Sequence, residues 1–102
     1  MSFWISHRGG ASERDPSLEK LTTLYDELDI QDDEHPSVSV HHESEWCLSA
    51  YGGGLLVWEN VEDDEPQHMK HVSKEKTLAL WRKLAQGDIE AIQNEDWSSG
   101  YG

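Results

Sequence analysis

A chain of 102 residues with 21 Asp and Glu against 8 Lys and Arg carries a formal net charge of −13. Such a field repels phosphate backbones and anionic lipid, which disfavours nucleic acid and membrane surfaces as partners and favours a basic protein. Five tryptophans and an apolar content of 35% argue against disorder and for one folded domain over residues 1–102.

The charge is unevenly placed. Residues 1–65 hold 16 acidic and 3 basic residues, whereas residues 66–102 hold 5 of each, so the first two-thirds of the chain carries the whole imbalance. No apolar run approaches the roughly 18 to 20 residues of a membrane span, and residues 1–10 lack the apolar core of a signal peptide. A soluble, cytosolic protein is expected. The single cysteine, Cys47, has no partner for an internal disulfide, and its place inside an expected strand reads as a small buried hydrophobe.

In chain order, Phe3-Trp4-Ile5-Ser6 is a β-prone piece, an edge strand or a docked arm, stopped by Arg8-Gly9-Gly10. Residues 11–14 read as a linker. Asp15-Pro16 pairs an N-cap acid with proline at the first helical position. Leu18, Leu21, Tyr25 and Leu28 follow at three- and four-residue steps with Leu24 beside them, which predicts a helix over 16–28. Asp32, Asp33 and Glu34 belong to a solvated loop that closes at Pro36.

The stretch from Val38 to Asn60 predicts an antiparallel meander. Val38 and Val40 alternate with Ser37, Ser39 and His41. Trp46, Leu48 and Ala50 share one face of the next strand, and Cys47, Ser49 and Tyr51 the other. Gly52-Gly53-Gly54 supplies a hairpin, and Leu55 to Trp58 is apolar on both faces, with Leu55 and Val57 opposed to Leu56 and Trp58. Glu62-Asp63-Asp64-Glu65 reads as an exposed loop. Residues 67–72 suggest a fourth strand. Ser73 caps a second helix with Thr77, Leu78, Trp81, Leu84 and Ala85 inward and Gly87 just past its end. Asp88 caps a third, from Ile89 to about Asn94, and the tail with Trp97 and Tyr101 is expected to be flexible. The fold class is α+β: a small antiparallel sheet of three to four strands, plus an N-terminal strand, with helices on one face.

Chemistry-bearing motifs are sparse. Of six histidines, His41 and His71 would suit zinc or nickel if their strands were adjacent. Against this, His68 and His71 point to opposite faces of a strand, His41 and His42 also diverge, and no regular metal-ligand spacing is present. No serine sits in a nucleophile motif, and Cys47 has none around it. Glu43, Glu45 and Glu59 read as solvated strand edges. The Gly52–Gly54 run lacks the lysine and helix of a phosphate loop. The chain reads as a non-enzyme without cofactor.

A binding surface has more support. Trp46 and Trp81 fall on core faces, while Trp58 and Tyr51 are the aromatic anchors expected on the second face of the sheet, unless the N-terminal arm or the tail covers Trp58. Asp32, Asp33, Glu34, Glu62, Asp63, Asp64 and Glu65 would steer a basic partner toward them. A leucine-rich helix, the segment Leu48-Ser-Ala-Tyr-Gly-Gly-Gly54, the apolar strand Leu55 to Trp58, an acidic loop and a late helix together resemble the Imm1 group of bacterial immunity proteins, over roughly residues 16–86. The resemblance implies a small cytosolic protein that neutralises a toxin by binding it. Two alternatives stay open: a homo-oligomer in which a second copy covers Trp58, and a small metal-dependent enzyme using His41 and His71.

Overall fold

The computed structural model describes residues 2–7, 11–29, 37–60 and 62–100, with the backbone alone at positions 63 and 64. The meander is present: β3 (Ser37–His42), β4 (Trp46–Tyr51) and β5 (Leu55–Asn60) pair antiparallel in sequence order. Alternation along β3 and the three-glycine turn after β4 account for this part without further help.

The sheet is nonetheless much larger than three or four strands. It has seven, all antiparallel, in the order β2-β1-β3-β4-β5-β6-β7. The extra strands arise where polar sequence hides extended backbone. β1 (Phe3–Ser6) lies between β3 and β2 (Ser12–Arg14), so the expected linker is itself an edge strand. β6 (Asp63–Met69) begins inside the acidic run that reads as a loop. β7 (Ser98–Ser99) recruits the tail, which is fastened by Gly100 N donating to the Pro66 carbonyl at 2.8 Å. Side-chain pattern is a weak guide at such places, because an exposed strand needs only backbone partners.

Asp15 shows the same competition. Its backbone N–H donates to the Phe3 carbonyl at 2.8 Å, and its carboxylate accepts from the Phe3 N–H at 3.1 Å. It therefore closes the β1–β2 hairpin instead of capping a helix. α1 starts later, at Lys20, runs to Asp26 and tightens into a 3-10 turn over Glu27–Asp29. Leu18 is consequently outside the helix and exposed, while Leu21 and Leu24 are sealed in the core. α2 (Lys74–Ala85) and α3 (Ile89–Gln93) begin as their caps dictate: Ser73 Oγ accepts from Lys76 N, and the Asp88 carboxylate accepts from Ala91 N. Gly87 takes a φ of 80° just past the end of α2.

All three helices join one core with alternate residues of the sheet. Phe3 and Ile5, Val38 and Val40, Leu48 and Ala50, and Leu56 and Trp58 meet Leu21, Leu24, Leu80, Trp81, Leu84 and Ile92. The Trp81 indole donates to the Leu48 carbonyl at 3.0 Å, which ties α2 to the middle of the sheet. On the opposite face Val57, Cys47, Ser49 and Ser39 are buried as well.

Candidate functional site

Register fixes what each face presents. The glycine turn pairs Tyr51 with Leu55, so Leu48 opposes Trp58 and both point to the helices. Trp58 is thus on the covered face, wholly buried, with Trp46 stacked at 4.4 Å and Trp97 beyond it at 6.2 Å. The role of exposed anchor expected for Trp58 is overturned, and so is the need for a second copy to cover it. The tail does the covering, through a Trp97 indole that donates to the Ile92 carbonyl at 2.8 Å. Tyr51 is on the opposite face, half-buried, at the hairpin end of β4.

The carboxylates collect at the other end. The β3–β4 turn and the β5–β6 turn lie side by side, because Trp46 pairs with Asn60 and Asn60 pairs with Asp63. Asn60 Nδ2 also donates to the Ser44 carbonyl at 3.5 Å, and Asn60 Oδ1 accepts from Glu62 N at 2.9 Å. Glu43, Glu45, Glu59, Glu62 and Glu65 therefore share one end of the sheet with backbone positions 63 and 64. No lysine or arginine occurs from Ser37 to Met69 to offset them. Asp63, Asp64 and Glu65 lie on β6, not in the loop expected for them. Asp32, Asp33 and Glu34 lie outside the described residues.

A half-open cleft of about 550 Å³ enters the molecule at this acidic end. Trp46, Glu65, Gln67, Gln93 and Ser99 line it, drawn from β4, β6, α3 and β7. The stack on Trp58 holds the Trp46 ring in place. His68 Nδ1 bonds to the Gly100 carbonyl at 3.0 Å and fixes the wall formed by the tail. Glu65 was identifiable from its acidic run. Gln67, Gln93 and Ser99 carry no sequence signal, because their meeting depends on the unforeseen pairing of β6 with β7.

The face of the sheet turned away from Trp58 has its own polar cluster, largely buried. Arg14, Trp4, His41, Cys47 and Glu59 form one row across β2, β1, β3, β4 and β5. The His41 ring stacks on Trp4 with centroids 5.5 Å apart, and its Nε2 lies 2.9 Å from Ser39 Oγ, 3.1 Å from Ser6 Oγ and 3.9 Å from Cys47 Sγ. Burial lowers the His41 pKa, against a smaller opposing pull from Glu59. Burial also pushes the Cys47 thiol up to about 11. Near neutral pH the pair is an uncharged imidazole and an un-ionised thiol, the reverse of an activated nucleophile and its base. The cluster works as a hydrogen-bonded seam. His71, by contrast, sits at a φ of 58° just past β6, and β6 is three strands from β3 in the sheet. At about 4.8 Å per strand the two histidines of the metal reading are too far apart to share an ion. Among the described residues no group of three metal-ligating side chains occurs.

No helix among the described residues is long and apolar enough to cross a membrane. Comparison of the chain with protein-family models, with curated proteins and with solved structures finds no match in any of the three.

Proposed function

We propose that this chain is a non-enzymatic, cytosolic binding protein that grips a basic protein partner, in the manner of an immunity or inhibitor protein. The observation that carries the reading is the gathering of Glu43, Glu45, Glu59, Glu62 and Glu65, with positions 63 and 64, at one end of a sheet whose strands β3 to β6 contain no lysine or arginine. A one-signed surface of this kind raises the encounter rate with an oppositely charged protein and rejects polyanions. The resemblance to the Imm1 group agrees with it. Half-buried Trp4, near the β1 edge of the other face, and Trp46 in the cleft take over the anchoring role that Trp58 cannot fill.

The test is to co-purify products of neighbouring reading frames with the chain, then to measure association of each purified pair. Between 0.1 M and 1 M salt the Debye length shrinks from about 10 Å to about 3 Å. Association should slow by on the order of tenfold over that range, and the double substitution Glu62→Lys with Glu65→Lys should slow it comparably at low salt. A partner that binds equally fast at both salt concentrations, or is itself acidic, would sink the reading.

A further inference from the structure

We infer that the cleft beside Trp46 receives an arginine side chain of the basic partner, an inference that rests on the binding function proposed above. The lining supplies what a guanidinium needs. Glu65 offers a carboxylate, Gln67 and Gln93 offer carboxamide oxygens, and Ser99 offers a hydroxyl, spread over β6, α3 and β7. No cationic side chain lines the cleft among the described residues. Five donors in a planar fork can reach acceptors distributed around a rim, whereas an ammonium is a single, strongly hydrated point.

The aromatic wall makes the same choice. Among the described residues Trp46 stacks on one ring, Trp58, nearly parallel at 8°, and the indole is half-buried at the cleft. Guanidinium groups stack on indole more readily than ammonium groups do. The ring is also held before any ligand arrives, since Trp97 backs Trp58 and is itself pinned to Ile92. A wall that need not be ordered on binding loses less affinity to entropy. At about 550 Å³ the cleft falls within the range of roughly 300–1,000 Å³ typical of small-ligand pockets.

The experiment titrates the full chain with three short peptides that differ at one position: arginine, lysine or citrulline. The indole N–H resonance of Trp46 reports occupancy of the cleft, and two exposed substitutions, Glu65→Gln and Gln93→Lys, alter the rim without touching the core. The arginine peptide should bind saturably and shift the Trp46 resonance. The lysine peptide should bind on the order of tenfold more weakly, the citrulline peptide weaker still, and each substitution should weaken the arginine peptide by about tenfold. Three outcomes overturn the inference: an unmoved Trp46 resonance, equal binding of the arginine and lysine peptides, or indifference to both substitutions. If any of these occurs while association with the purified partner still slows with salt, the cleft assignment fails and the acidic binding reading stands. If salt dependence is also missing, both fall together.

Discussion

The indoles of Trp46 and Trp58 lie face to face, 4.4 Å apart between ring centroids and 8° from parallel, yet the Trp58 Nε1 has no hydrogen-bond partner among the described residues. The equally buried Trp81 donates to the Leu48 carbonyl at 3.0 Å. Two sealed indoles thus differ chiefly in whether their N–H is satisfied. Replacing each by Phe removes similar ring volume, but only Trp81→Phe removes a hydrogen bond to a backbone carbonyl. In urea unfolding, Trp81→Phe should cost about 1–3 kcal/mol more than Trp58→Phe. Equal costs would mean that the polar terms, and not the packing, have been misjudged.

The glycine turn allows a graded test of backbone strain. A Cβ on Gly52 would meet nothing within 4 Å; on Gly53 it would have room but at a φ of +84°. On Gly54, at a φ of +85°, it would also lie 3.1 Å from the backbone N and O of Val72. That close approach is fastened by Val72 N donating to the Gly54 carbonyl at 2.9 Å. Alanine should therefore be nearly neutral at 52, cost about 1–2 kcal/mol at 53, and cost more still at 54. Thermal or urea melts of the three variants give the order directly.

His7 and His41 should tilt the pH dependence of stability in opposite senses. His7 Nδ1 contacts Glu27 at 2.5 Å and its Nε2 contacts Glu13 at 3.2 Å, and these bonds, that to Glu27 foremost, raise its pKa above 6.5. Its stabilisation is fully present below the unfolded value and is lost as pH rises through the folded one. His41 has its pKa lowered by burial, so its contribution is present above 6.5 and lost as pH falls through the folded value. The advantage of the parent over His7→Gln should shrink as pH rises from about 6 to about 9. The His41→Gln profile should instead lose part of the parent's fall in stability below about 6.5. Parallel profiles for the parent and either variant would show that the group does not titrate differently on folding.

Cys47 should be inert while the fold is intact. With 5% exposure and a pKa pushed up to about 11, little thiolate is present and little of it is reachable. At pH 8 a thiol-specific reagent should react at least on the order of 100-fold more slowly with the native chain than with the chain in urea. Comparable rates would mean that β4 opens readily to solvent.

Legibility in the sequence followed the strength of the local signal. α2 and α3 are readable because Ser73, Asp88 and Gly87 mark their limits and an apolar stripe runs between, although the buried Leu80 falls outside the stripe read from the pattern. The central meander was readable by alternation. The face of Trp58 was misread, since its strand is apolar on both sides and only the three-residue turn, which pairs Tyr51 with Leu55, fixes the choice. β2, the start of β6 and β7 were invisible, because short polar segments become strands only when a neighbour offers backbone bonds. The cleft went unseen for the same reason: Gln93 and Ser99 reach Trp46 only once the tail has paired with β6.

The sheet ends in strands of three residues at β2 and two at β7. A growing fibril needs a long, straight border onto which another chain can be stitched, and neither flank supplies one. Crowded or concentrated preparations of this protein should accordingly fail by loss of the whole fold before they fail by templated stacking of folded copies.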